Sequence, residues 1–188
     1  MDFADTSQVI AGCLAGDEQA IERLIQQYQT GVFRLALSIL DDPLEANEAA
    51  KDTFIAALGS LEKYQERSTF KAWLYTIALN ISRSRLRKRK TAERLKNALQ
   101  GLFKIQAQKT PSAEEAVIQS EKEAALWRAL EKLGEEHRIP IVLRYFHDLS
   151  TAEIADILQI NEGTVFSRLH TARERLRMEL ELSGEKYG

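Results

Sequence analysis

Apolar residues recur at intervals of three and four along most of this chain, a period that fits an α-helix burying one face. Ile21, Leu24, Ile25, Tyr28, Val32 and Leu35 form one such stripe. Phe70, Trp73, Leu74, Ile77, Ala78 and Ile81 form another, and Val165, Leu169, Ala172 and Leu176 a third. Only three prolines interrupt 188 residues, and β-branched runs are few, so little breaks the helical period or favours a strand. The expected class is all-α, with no sheet. A chain of this length either builds one core or divides into two small helical domains joined by a linker.

Start and stop signals favour the division. A short helix is expected near Thr6 to Ala15, and a long one from Asp17. Asp42 before Pro43 marks a third start, because proline at the first helical position lacks only an N–H that would be orphaned anyway. That helix should bury Ala50, Phe54, Ala57, Leu58 and Leu61, leaving Glu45, Glu48 and Asp52 together on the opposite side. Ser68 or Thr69 can cap the fourth helix, which completes a domain over residues 1–90. From 91 to 111 the period weakens, and "KTPSAEE" marks the end of a flexible linker that keeps some helix at its start. In the second domain, 112–188, Ser112 and Glu115 form a capping box for a helix running to Leu133 and stopping at Gly134. A helix from Glu136 to Phe146 contains Pro140, which should bend it or move its start. Ser150 with Glu153 opens another helix. The turn "QIN" and a helix capped by Asn161 follow, which is helix-turn-helix spacing.

Charge is unevenly distributed along the chain. Residues 1–60 hold ten acids against three bases, whereas "RSRLRKRK", Arg83 to Lys90, holds no acid. The net charge of −2 therefore says little about partners, and the local basic run favours a polyanion over a merely solvated helix end. On the last helix the apolar stripe turns Ser167, His170 and Thr171 outward, flanked by Arg168, Arg173 and Arg175. Short polar side chains beside arginines suit a helix in the major groove, although charged outer faces also occur on helices that bind nothing.

The stretch "LEKLGEEHRIPIVLRYFHDLSTAEIADILQINEGTVFSRLHTARERLR" resembles region 4 of bacterial sigma factors of the extracytoplasmic-function group, through "LS", "EIA", "GTV", "SRL" and "AR". The resemblance implies a domain that reads the upstream, minus-35, promoter element and touches the flap of RNA polymerase. Arg144 would hold phosphate, and Thr164, Phe166, Ser167, Arg168, His170, Thr171, Arg173 and Arg175 would line the groove-facing helix. The family usually places a basic residue where Phe166 stands and an arginine where Thr171 stands, so either affinity and its salt dependence weaken or the load shifts to Arg168, Arg173 and Arg175; contact of Phe166 with a thymine methyl is the alternative use of that position.

"STFKAWLYTIALNISRSRLRKRK" resembles region 2 of the same family, which implies capture of an unpaired base of the minus-10 element. Tyr64 and Arg67, in the loop "KYQERS", would then join Trp73, Thr76, Asn80, Arg83 and Arg87 at the melted strand, held by stacking and a cationic groove. The spacing of Trp73 also places it with the core residues Leu74 and Ile77. The third helix would grip the clamp helices of the polymerase through Glu45, Glu48, Lys51 and Asp52. Lys51 replaces the glutamine usual there. The resemblance spans roughly residues 15 to 90 and 115 to 180.

An enzyme needs convergent catalytic groups, and His137, His147, His170 and a lone Cys13 lack ligand or triad spacing. No catalysis, metal or cofactor is expected. The N-terminus lacks the basic start and apolar core of a signal peptide, and no run is long enough to span a bilayer, so the expected compartment is the cytoplasm. The expected function is that of a sigma factor directing RNA polymerase core to promoters, with an anti-sigma factor as a further partner. Two alternatives are a helix-turn-helix regulator working without polymerase, and a sigma-like protein acting only through protein contacts.

Overall fold

The computed structural model describes residues 3–65, 69–103 and 121–182. Among them it contains no strand. The helices are α1 (Phe3–Leu14), α2 (Glu18–Leu40), α3 (Pro43–Gly59), α4 (Phe70–Phe103), α5 (Glu121–Glu131), α6 (Glu135–Tyr145), α7 (Thr151–Leu158) and α8 (Glu162–Leu182), with a single 3-10 turn at Leu61–Lys63.

Capping residues set the helix starts in the first half. The Asp17 carboxylate accepts from the Gln19 amide at 2.9 Å, and Asp42 accepts from Glu45 at 2.9 Å with Pro43 in the first turn. Asp41 ends α2 in the left-handed region, its N–H returning to the Leu37 carbonyl. Thr69 starts α4, its hydroxyl oxygen accepting from the Ala72 amide at 3.3 Å. Leu24, Val32, Leu35 and Ile39 of α2 then pack with Ala46, Phe54 and Ala57 of α3 and Leu74 and Leu79 of α4, all buried. The helix α4 does not end near residue 90, because it continues to Phe103. The basic run therefore lies on unbroken helix. The expected Ser112–Glu115 box falls outside the described residues.

In the second half α5 ends at Glu131, and Gly134 stands at the N-cap of α6 instead of closing the helix before it. Pro140 sits buried inside α6 without breaking it. Proline supplies no N–H to the carbonyl four residues back, and here that carbonyl belongs to Glu136, an exposed residue. The box at Ser150 is complete, with Glu153 N–H donating to the Ser150 hydroxyl at 3.2 Å and Ser150 N–H donating to the Glu153 carboxylate at 2.8 Å. Gln159 turns the chain with φ of 54°, and the Asn161 side-chain oxygen accepts from the Thr164 hydroxyl at 2.7 Å. Ile154, Leu158, Val165, Leu169 and Ala172 close this core.

The two halves do not stand apart. α6 lies on α2, and α7 lies on α4. Gly31 lets α4 pack closely on α2 beside this contact, since a Cβ there would clash with the Tyr75 hydroxyl, the group that bonds His147 of the second half.

Candidate nucleic-acid and protein interfaces

The outer face of α8 is built by subtraction. Val165, Leu169 and Ala172 are buried and Leu176 packs on them, so the intervening positions turn away from the core. Ser167, His170, Arg173 and Arg175 are exposed, and Thr164, Arg168 and Thr171 are half-buried at the flank. Phe166 is 66% exposed, unusual for so large an apolar ring. Arg144 is exposed, but one guanidinium N–H donates to the Leu149 carbonyl at 2.9 Å and steadies the turn before α7. Arginine has five donors, so an anion can still be held there.

The expected contacts on α4 are less uniform. Asn80 and Arg87 are exposed, while Thr76 is half-buried with its hydroxyl donating to the Ala72 carbonyl at 2.9 Å. Arg83 is paired with Glu135 of α6 at 2.9 Å. The aromatic rings form one cluster, with Tyr64 5.3 Å from Trp73 and 5.5 Å from Phe70, and Phe70 5.5 Å from Trp73. Trp73 is thus half-buried and partly committed to packing, as its spacing indicated. Arg67 lies outside the described residues. Two arginines of the basic run hold the fold together: Arg85 pairs with Asp52, and Arg89 donates to the Leu40 carbonyl at the end of α2, where the helix dipole favours a cation. Lys88 and Lys90, read in the sequence only as part of the basic run, are exposed beside Arg87.

On α3, Lys51 is paired with Glu48 at 2.8 Å one turn away, so its positive charge is offset locally. Asp52 turns toward Arg85, and Glu45 is half-buried. Sequence reasoning missed Leu44 and Ile55, which are 64% and 71% exposed. Their spacing from Glu48 and Lys51, by four, three and four, puts all four on one stripe.

Between the halves runs a polar seam. The Thr69 hydroxyl donates to Glu153 at 2.8 Å, Lys71 donates to the His147 carbonyl, and the Tyr75 hydroxyl and His147 Nδ1 share a hydrogen bond of 3.2 Å. Arg83 and Glu135 add the ion pair, and the Arg34 guanidinium sits 6.0 Å from the Phe146 ring centre. His147 is 4% exposed, and its Nε2 is buried with no hydrogen-bond partner. Burial, with Lys71 and Arg34 nearby, holds its pKa down to about 4. Burial raises the Glu153 carboxyl, but bonds from the Ser150 amide and hydroxyl and from Thr69, with Lys71 close by, bring it below its ordinary value.

The Glu153 shift comes largely from its own capping box with Ser150, so it is His147 that ties docking to pH: the docked state favours the neutral ring, and docking is fully supported above the ordinary histidine pKa of about 6.5 and weakens as pH falls toward 4. At pH 5 the histidine alone should shift the docking equilibrium toward opening by about 30-fold relative to pH 7.5. Fluorescence transfer between dyes placed on α3 and α8 measures this, and His147→Gln should flatten the response above pH 5. An unchanged slope in that variant would assign the effect to other groups.

Among the described residues no group of three His, Cys, Asp or Glu side chains is arranged to hold a metal ion. Nor is any described helix long and apolar enough to cross a membrane.

The sigma-70 region 2 family model matches residues 24–92, and the sigma-70 region 4 model matches residues 123–176. The extracytoplasmic-function RNA polymerase sigma factor SigW of Bacillus subtilis is 32% identical over 170 residues, covering 88% of this chain and 91% of the relative. The RNA polymerase sigma-H factor of Pseudomonas aeruginosa is 31% identical over 174 residues, covering 90% of each. Among solved structures, the sigma factor RpoE of Bartonella quintana, in complex with the anti-sigma factor NepR, superposes with a TM-score of 0.68 at 24% identity, covering 85% of this chain and 96% of that one. CnrH, in complex with the cytosolic domain of CnrY, gives 0.66 at 24% identity, covering 93% and 96%. At that identity the structures speak for the fold.

Proposed function

Because the chain belongs to the extracytoplasmic-function group of sigma-70 factors, and so directs RNA polymerase core to promoters and initiates transcription, we propose how its surfaces divide that work. Residues 1–90 act as region 2 and residues 112–188 as region 4, joined through the stretch 91–111. Region 2 holds the polymerase clamp through the outer stripe of α3, with Glu48 and Lys51 at its centre. The minus-10 strand is gripped by Asn80, Arg87 and the edge of the Tyr64–Trp73 cluster, and Arg83 joins them once it leaves Glu135. The upstream element is read by Ser167, Arg168 and His170, with Arg144, Arg173 and Arg175 on phosphates, where contacts fix register without carrying sequence information.

The observation that carries this division is the outer face of α8, where exposed polar residues lie between basic flanks on a capped helix-turn-helix. The protein works in the cytoplasm and carries no chemistry of its own. An anti-sigma factor is a natural further partner, since the similar RpoE is bound by one.

Transcription in vitro with core polymerase and a promoter library tests the proposal. Promoter-selective initiation is expected from the wild-type chain. Arg168→Ala should cut use of promoters that depend on the upstream element by about ten-fold, the scale of one good base or phosphate contact, while leaving core affinity unchanged. Equal loss of core binding would mean the substitution had damaged the fold. Promoter DNA shifted by the chain alone, as tightly as by holoenzyme, would favour the regulator that works without polymerase.

A further inference from the structure

We propose that Phe166 is a specificity-determining residue, its ring packing on the 5-methyl group of one thymine in the upstream promoter element. The inference rests on α8 being the helix that enters the major groove.

Three observations converge on it. Phe166 is 66% exposed, so neither core of this protein uses the ring. It is the fifth residue of α8, and the first turns of a groove-entering helix are those that meet base edges. Side chains on a helix lean back toward its N-terminus, so the ring lies over the turn containing Gly163. A Cβ at Gly163 would meet nothing within 4 Å, so internal packing does not require a glycine there. Glycine is costly in a helix, and this one keeps the surface beneath the ring low, where a base pair can come close.

The neighbours identify the partner. His170 follows Phe166 by four residues and Arg173 by seven, so the ring shares its strip of helix with exposed polar and cationic groups. That setting suits a polyanion and does not suit an apolar protein groove. Within the major groove the one apolar group a base presents is the thymine methyl, which apolar side chains including Phe contact. A basic residue at this position would have sought a guanine edge or a phosphate. Phe166 exchanges that for selection of thymine.

The test separates the methyl from everything else. Holoenzyme containing this chain is used to select upstream elements from a randomised library, and each selected thymine is then replaced in turn by deoxyuridine, which lacks only the methyl. One position is expected to lose about four-fold in open-complex formation, the factor set by burying one methyl-sized group. With Phe166→Ala that position should show no difference between thymine and deoxyuridine, and with Phe166→Leu a part of the difference should remain. Helical circular dichroism checks that both variants keep the fold, as exposure of the ring leads one to expect. The proposal is overturned if no position responds to deoxyuridine, or if Phe166→Ala keeps the full response. Failure of the wild-type holoenzyme to initiate at any promoter would instead bring down the sigma assignment of these surfaces, and the proposal with it.

Discussion

With Thr69→Cys and Glu153→Cys in a Cys13→Ala background, a short reducible thiol cross-linker across the seam should lower promoter-selective initiation at least about ten-fold, and reductant should restore it. The two positions are in direct side-chain contact, with 2.8 Å between the Thr69 hydroxyl and the Glu153 carboxylate. The reason for the loss is distance. Promoter elements centred near minus-10 and minus-35 lie about 25 base pairs apart, or about 85 Å along B-form DNA at about 3.4 Å per step. A compact chain of this length has a radius of gyration of only about 16 Å. The docked halves therefore cannot read both elements at once. Opening would also release Arg83 from Glu135, so on the proposed division of surfaces the same separation would free it for the minus-10 strand. Core polymerase should still be held through α3, whose stripe of Leu44, Glu48, Lys51 and Ile55 is exposed in the docked state. A cross-linked chain that initiates as well as the reduced one would show that the seam does not have to part.

The helices were legible wherever a buried face met a cap. Asp17, Asp42 and the Ser150–Glu153 box each do in the structure what their place before an apolar stripe implies. Some helix beyond residue 90 was expected, but its run as one piece with α4 to Phe103 was not legible, because "TAERLKNALQGLF" has strong helix formers without a stripe long enough to give a period. Propensity carries that helix where periodicity falls silent. The seam was hidden for a different reason. Its partners are Thr69, Lys71, Tyr75 and Arg83 on one side and Glu135, His147 and Glu153 on the other, polar residues some fifty to eighty positions apart, and no local pattern pairs them. The same limit applied to the basic run, which read as uniform along the chain. Only the fold distinguishes Arg85 and Arg89, committed to Asp52 and the Leu40 carbonyl, from Arg87, Lys88 and Lys90, which face solvent.

Ile55→Asp should weaken binding to core polymerase by about 30-fold or more, a larger effect than any charge change on the same helix. Interfaces draw most of their energy from a few large side chains that become fully desolvated, while an exposed ion pair already satisfied within its own helix contributes little. Ile55 and Leu44 are the large apolar groups that α3 leaves to solvent, at either end of the strip that Glu48 and Lys51 occupy. Folding does not need them there, so a partner surface is the economical explanation of their exposure. A carboxylate at position 55 would have to be desolvated on binding, which adds a penalty to the lost apolar contact. Lys51→Gln, by contrast, should change core affinity by less than about three-fold, because the ammonium is already offset by Glu48 at 2.8 Å and solvent screens the exposed pair. Anisotropy titration of labelled chain with core polymerase measures both variants, and thermal unfolding checks that each retains wild-type stability. If Lys51→Gln altered affinity more than Ile55→Asp, the contact would be governed by charge, and the apolar pair would have no part in holding the polymerase.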